Sequence, residues 1–238
     1  MKIALIGYGK MGKAIETLAL QQGHSIVLKI NSKNPEMLQK EYLQEADVAI
    51  EFSGPASAFD QVRKCLEAGV PVVCGSTGWL QHWEEAVSIC RKHQNAFIWA
   101  SNFSVGVNLF FQLNKYLAQL MNAHAEYNVQ LEEIHHTEKK DAPSGTAITL
   151  AEQVIGMLDH KTGWKKDHAD TAQEVAILSK RIAGVPGTHE VLYESAVDGI
   201  TIKHTAYSRE GFALGALLAA AFIKDKTGIF TMNDVLNF

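Results

Sequence analysis

The 238-residue sequence has only three cysteines, no strong charge of either sign, and no apolar run long enough to cross a bilayer. Each shortage excludes a class of protein. Cys65, Cys74 and Cys90 are odd in number, scattered, and form no C-x-x-C pair. Neither a disulfide framework nor a zinc knuckle is indicated, and a reducing cytoplasm is the expected compartment. A formal net charge of −4 provides no global basic field for DNA or anionic lipid. Nucleic acid and membrane are therefore not expected partners, and any anion must be held at a local site. The longest apolar stretch, 212–223, is broken by Gly215, is bounded by Glu210 and Lys224, and falls short of the roughly 18 residues a span requires. It reads as a buried helix. The opening residues Met1-Lys2-Ile3-Ala4-Leu5-Ile6 run straight into a strand pattern without the marks of a signal peptide, so export is not expected. Internal repeats and low-complexity segments are also missing.

What is present is the balance of an ordinary globular protein, 47% hydrophobic and 20% charged, with length enough for two modest domains. Short apolar runs at 2–7, 25–30, 48–52, 70–74 and 96–99 alternate with amphipathic segments, the pattern of a parallel sheet covered by helices. Met11, Ala14, Ile15, Leu18 and Ala19 recur at helical spacing after the first run, completing a β-α-β unit. A longer helix is expected over 108–121, with Leu109, Leu113, Tyr116, Leu117 and Leu120 inward, and beyond it the rhythm changes. The second part reads as a strand at 127–134, a helix at 146–158, a mobile polar surface loop at 159–171, and alternating strands at 175–182, 189–195 and 200–206. Asp198-Gly199 is a strong hairpin signal between the last two. The expected fold is α/β: an amino-terminal Rossmann-like parallel sheet domain, 1–103, and a carboxy-terminal α+β open-sheet domain, 104–206, with mostly antiparallel neighbours. The closing helix is too apolar for a half-exposed sheet, so 207–238 is expected to return to the first domain.

Gly7-Tyr8-Gly9-Lys10-Met11-Gly12 has the G-x-G-x-x-G spacing, after a strand and opening a helix. There glycines let the backbone approach a pyrophosphate at the positive helix end, and Lys10 adds a cation. That context favours a dinucleotide site over a merely structural turn. The acidic residue that holds ribose hydroxyls in NAD-specific sites is replaced by Asn31-Ser32-Lys33, which would not repel a 2′-phosphate. A polar turn with a solvated lysine explains the same residues equally well. Gly75-Ser76-Thr77-Gly78 and Ala100-Ser101-Asn102-Phe103 follow the fourth and fifth runs, at the edge where open α/β sheets bind ligands; Phe52, closing the third run, is counted with them. Turn chemistry alone would explain either loop; together with the glycine loop they outline a crevice for NADH or NADPH.

The richest segment is 132–146, where His135, His136, Lys139, Lys140 and the turn Ser144-Gly145-Thr146 concentrate proton donors and anion-binding groups. Backbone N–H groups at Gly145 and Thr146 would face an anion, most simply a carboxylate. A metal site competes, because paired histidines near glutamates resemble a ligand set; the H-E-x-x-H spacing is absent and the lysines would repel a cation, so none is expected. A capped polar loop explains Ser144 but leaves the histidines and Lys139 without a role.

These residues carry a resemblance. Glu133 to Ala147 matches E-x-H-H-x-x-K-x-D-A-P-S-G-T-A, the hallmark of the 4-hydroxy-tetrahydrodipicolinate reductase family. The similarity extends to Gly75-Ser76-Thr77-Gly78, Ala100 to Ser104 with Gly106-Val107-Asn108, and Arg181 with Gly187-Thr188-His189. The resemblance implies NAD(P)H-dependent reduction of 4-hydroxy-tetrahydrodipicolinate to tetrahydrodipicolinate, a small dicarboxylate on the route to diaminopimelate and lysine, by a homotetramer built on the second domain. It further implies that His135 is the proton donor or acceptor and Lys139 the second catalytic residue. His136, Gly145 and Thr146, with Ser144 beside them, fall at substrate positions. Gly75 to Thr77 and Ala100 to Phe103 fall around the nicotinamide ribose and ring. Two features depart from the family pattern: the first glycine, Gly7, sits one residue closer than in G-x-x-G-x-M-G, and Asn31 replaces the frequent acid. A semialdehyde dehydrogenase would need a nucleophilic cysteine, absent from both the H-H-x-x-K and S-N-F segments. A dinucleotide sensor would have no use for the histidines and Lys139.

Overall fold

Short, wholly apolar runs between amphipathic segments can be buried only if helices cover both faces of their sheet. The computed structural model, which describes residues 1–238, has this arrangement in its first part. In chain order the elements are β1 (Lys2–Ile6), α1 (Lys10–Gln21), β2 (Ser25–Ile30), α2 (Lys40–Leu43), β3 (Val48–Glu51), α3 (Pro55–Glu67), β4 (Val72–Cys74), α4 (Trp83–Lys92) and β5 (Ala96–Trp99). There follow α5 (Val105–Met121), β6 (Asn128–His135), α6 (Gly145–Ile155), β7 (Gly163–Lys166), β8 (Glu174–Arg181), β9 (Gly187–Glu194), β10 (Gly199–Ala206), α7 (Glu210–Ile223), β11 (Gly228–Phe230) and α8 (Met232–Leu236). The chain divides into two units, 1–105 with 209–238, and 106–208.

In the first unit six strands lie in the order β11-β5-β4-β3-β1-β2, every pair parallel. Ile3 and Leu5 face one side with Ile15 and Ala19 of α1 and Ala216, Leu217 and Ala220 of α7. Ala4 and Ile6 face the other, with Val62 and Leu66 of α3 and Cys90 of α4. α7 buries Ala213, Ala216, Leu217, Ala220 and Ile223 in this core, while Leu214 and Leu218 stay exposed. β11, three residues at the edge beside β5, carries too short a pattern to be read from sequence.

In the second unit the sheet order is β10-β9-β6-β8-β7, with α5 and α6 on one face. Three expectations are corrected here. First, half the pairings are parallel: β10·β9 and β9·β6 are antiparallel, but β6·β8 and β8·β7 are parallel. α6 lies between β6 and β8 and makes that crossover possible. Second, 159–171 is not wholly loop. It contains β7, and Lys161 is buried with its Nζ donating to Asn128 Oδ1 at 3.2 Å and to the carbonyls of Ala172 and Glu174 at 2.8 and 3.4 Å. Those bonds join segments distant in sequence, and apolar periodicity carries no trace of them. Third, of the five residues of α5 expected inward only Leu117 packs against the core. Val107, Phe110, Phe111, Asn114, Ala118 and Met121 are buried, while Leu109, Leu113, Tyr116 and Leu120 stand 51, 49, 61 and 52% exposed. The helix carries two apolar stripes, and periodicity alone does not say which meets the sheet; on the buried stripe the Asn114 amide donates to Leu150 O and Gln153 Oε1, both at 3.1 Å.

Candidate active site

The glycine loop is built by close approach. Gly7 has φ +95°, and a Cβ on it would stand 2.2 Å from Phe52 O; one on Gly12 would stand 2.5 Å from Gly7 O. Both overlaps exclude any side chain. The loop is also tied to the end of β2, since Gly7 and Tyr8 N–H donate to Ile30 O at 3.0 and 2.9 Å. Gly9 precedes α1 with nothing within 4 Å of its Cβ direction, so the positive end of a 12-residue helix is open. Gly9, Lys10, Met11, Phe52, Ser53, Gly54, Pro55, Gly75, Ser76 and Thr77 line a cavity of about 380 Å³. An open helix end, a lysine and a cavity of this size fit a dinucleotide, whose pyrophosphate needs N–H donors and positive charge.

Within that lining the side chains differ in what they offer. The Phe52 ring fills the space a Gly75 Cβ would need, 2.1 Å away, and meets Phe103 edge-on at 6.0 Å. Ser76 turns its hydroxyl inward, donating to Glu51 Oε1 at 2.8 Å, while Thr77 is exposed. Ser53, Gly54 and Pro55 were missed from sequence, although they follow the third strand at the ligand-binding edge. Ala100 to Phe103 extend from β5 but do not line this cavity. Ala100 N–H donates to Cys74 O at 3.2 Å, and Asn102 Oδ1 accepts from Ser104 N–H at 2.9 Å. Asn31, Ser32 and Lys33 likewise lie outside it. They form a turn in which Asn31 Oδ1 accepts from Lys33 N–H, and Asn34 Oδ1 from Asn31 N–H, each at 2.8 Å, leaving Lys33 exposed.

The second unit gathers the histidines by register. Pairing across β8, β6, β9 and β10 aligns Ser179, Glu133, His189 and His204 in one row, and Arg181 and His135 in the next, with Gly187 beside the His135 ring. This is the face that carries the core residues Leu131, Ile177 and Val191 one step back, so the apolar face continues into polar groups. Glu133 has no exposed surface. Its Oε1 accepts from Arg181 Nη1 at 3.0 Å, and its Oε2 lies against His135 Nδ1. Burial alone would raise the carboxyl, but the neighbouring His135, Ser179 and Arg181 outweigh it and hold Glu133 at about 2. A carboxylate beside Nδ1 orients the His135 ring; its Nε2 faces Gly187, where a Cβ would crowd it at 3.1 Å.

His189 is pushed down to about 3, first by burial and then by the charge of His135, so it is a neutral imidazole. Its Nε2 lies 2.9 Å from Ser144 Oγ, and its ring meets His135 edge-on at 5.0 Å. Ser144 also caps α6, accepting from Ala147 N–H at 3.2 Å; its hydroxyl thus holds the turn in place rather than pointing to solvent. Gly145 and Thr146 begin the 11-residue α6, at its positive end. Lys139 Nζ pairs with Asp141 at 2.8 and 2.9 Å, and His136 is half-buried with an unpartnered Nδ1. Arg181 straps this segment down. Besides Glu133, it donates to Asp141 O at 2.6 Å, Lys180 O at 2.7 Å and Lys139 O at 3.4 Å. Glu133, His135 and His189 bring metal-ligating atoms within 4.8 Å of one another; Arg181 holds one of the carboxylate oxygens and Ser144 the His189 Nε2. The orienting roles of Glu133, Arg181 and His189 were not assigned from sequence; the available signal was a glutamate on the buried face of a strand, which requires a partner.

Comparison with known proteins covers nearly the whole chain. Residues 1–103 match the family model for the N-terminus of dihydrodipicolinate reductase, and residues 106–236 the model for its C-terminus. A 4-hydroxy-tetrahydrodipicolinate reductase of Christiangramia forsetii is 51% identical over 237 residues, spanning 100% of this chain and 98% of the relative. One from Thermosipho africanus is 32% identical, spanning 99% and 98%. Among solved structures, a dipicolinate-bound dihydrodipicolinate reductase from Paenisporosarcina sp. TG-14 superposes with a TM-score of 0.76 over 97% of both chains at 23% identity, a likeness of fold.

Proposed function

The chain belongs to the dihydrodipicolinate reductase family, and on that premise we propose how its residues divide the reaction. It reduces 4-hydroxy-tetrahydrodipicolinate to tetrahydrodipicolinate with NADH or NADPH, in the formation of diaminopimelate and lysine. The nicotinamide supplies the hydride. The remaining needs are a proton donor, charge stabilisation and orientation of a dicarboxylate.

His135 donates the proton from Nε2 as the imidazolium, with its Nδ1–H turned to Glu133. The observation that carries this reading is the chain of contacts Arg181-Glu133-His135: a buried ionised carboxylate, itself held by a guanidinium, orienting one imidazole through Nδ1. Lys139 binds and polarises a substrate carboxylate, exchanging Asp141 for it, and the N-terminus of α6 at Gly145 and Thr146 takes a carboxylate beside it. His136 lines the same site. Ser144 supports the site through His189. The glycine loop, Lys10, Met11, Phe52 and the loops at Gly75 to Thr77 and Ala100 to Phe103 would hold the cofactor, and Asn31 to Lys33 would meet its adenosine ribose.

We further propose that the enzyme is a cytoplasmic homotetramer. No helix is long and apolar enough to cross a membrane. The face of the second unit's sheet opposite α5 and α6 presents half-exposed Ile134, Leu178 and Leu192 among the ion pairs Lys180–Glu132 and Lys203–Glu190. A mixed surface of that kind fits a second copy.

Steady-state kinetics on two variants tests the assignment. His135→Gln keeps a polar side chain without the acid, so kcat should fall by roughly a hundredfold with cofactor affinity little changed. Lys139→Ala should damage substrate KM and kcat together. A kcat near that of the wild type in His135→Gln, across roughly pH 6 to 9 where an imidazole titrates, removes histidine from the mechanism.

A further inference from the structure

One buried carboxylate has no part in the proton chemistry. Glu51 closes β3 with no exposed surface. Its Oε1 accepts from Ser53 N–H at 2.7 Å, Ser53 Oγ at 2.5 Å and Ser76 Oγ at 2.8 Å, and the Cys74 thiol lies 2.9 Å from Oε2. Ser53 N–H also donates to Ser76 Oγ at 3.0 Å, and Gly75 N–H to Glu51 O at 2.9 Å. Ser53 and Ser76 belong to two separate loops, one after β3 and one after β4, and both line the 380 Å³ cavity with the glycine loop. The carboxylate is therefore the common acceptor beneath two walls of the cofactor site. A buried carboxylate costs solvation, and it persists here because every neighbour donates to it. A wholly apolar residue would fit the core of β3 at no such cost, so the arrangement points to a role in the shape of the loops.

We propose that Glu51 is a positioning residue for the cofactor: it locks the Ser53–Pro55 and Gly75–Thr77 loops in the form that receives the dinucleotide. The idea rests on the reading of this cavity as the NAD(P)H site. Ser76 acts through the same lock, its hydroxyl turned to Glu51, while its carbonyl accepts from Trp79 Nε1 and Trp99 Nε1, both at 2.8 Å. That carbonyl pins the loop from the far side, so loss of Glu51 frees the cavity side of the loop without unpinning it from the core.

The test is NADPH binding by fluorescence titration of the full-length protein without substrate, alongside calorimetry with pyridine-2,6-dicarboxylate. Glu51→Ala removes the shared acceptor of four donors and should weaken NADPH by roughly tenfold or more, with dicarboxylate affinity within about twofold of wild type. In kinetics the KM for NADPH should rise while the substrate KM holds. Glu51→Gln retains an acceptor oxygen and should recover NADPH binding to within about threefold. Ser76→Ala, which removes one donor from the buried carboxylate, should weaken NADPH modestly and be non-additive with Glu51→Gln. If Glu51→Ala does not fold, Glu51→Gln and Ser76→Ala still decide the matter through their coupling. Unchanged NADPH affinity in Glu51→Ala, equal loss of both ligands, or strict additivity of Glu51→Gln with Ser76→Ala overturns the proposal. Failure of the wild type to bind NADPH would instead overturn the reading of the cavity.

Discussion

Replacing Glu133 by glutamine should destabilise the protein by about 3 kcal/mol at neutral pH. Glutamine keeps the shape but cannot carry the charge that faces Arg181 Nη1 at 3.0 Å and His135 Nδ1. The carboxyl is held at about 2, against 4.5 for an ordinary glutamate, in spite of the burial that opposes ionisation. At roughly 1.4 kcal/mol for each tenfold in proton affinity, that difference corresponds to about 3 kcal/mol of folding free energy. Because the folded value is depressed, the contribution is complete above 4.5, where glutamate is ionised in both states. It declines as pH falls through that window and is nearly gone at 2, where the folded carboxyl takes up its proton. Urea unfolding of wild type and Glu133→Gln at neutral pH and at about pH 3 measures it, with hydrogen exchange of β6 amides reporting on the 106–208 unit by itself. The gap between the two proteins should shrink to less than about half at the lower pH. A neutral-pH difference under about 1 kcal/mol, or a gap that stays constant down to about pH 3, would refute the argument that ion pairing outweighs desolvation at this site.

Two further expectations concern the cofactor and the assembly. Asn31→Asp should lower the ratio of kcat/KM for NADPH over NADH by roughly tenfold or more, since aspartate can still accept from Lys33 N–H and adds only a charge that repels a 2′-phosphate; an unchanged ratio would place the phosphate elsewhere. Leu192→Glu on the open sheet face should reduce the mass measured by light scattering from that of four chains, and a variant that stays tetrameric would move the interface off this face.

Much of this molecule is local and therefore written in the chain. The parallel sheet follows from five short apolar runs, because strands buried on both faces must be apolar at successive positions; the loop before α1 follows from Gly7 and Gly12, because Phe52 O and Gly7 O leave no room for a Cβ. The hairpin between β9 and β10 follows from Asp198-Gly199, and the cap of α6 from Ser144. His135, Lys139, Gly145 and Thr146 could be singled out from one contiguous segment. What the sequence could not decide was every choice between alternatives that satisfy the same local pattern. α5 has two apolar stripes, and the buried one is the stripe that packs in the core and carries Asn114, which donates to α6. β8 pairs parallel with β6, because strand direction depends on the crossover and not on alternation. The 159–171 segment is ordered by Lys161 reaching three acceptors from β6 and the start of β8. Glu51 and Glu133 read as ordinary acidic residues until folding surrounds them with donors from other strands and loops. A sequence specifies which groups are polar; only the tertiary structure specifies which of them are deprived of water, and that deprivation makes a hydrogen-bond partner obligatory.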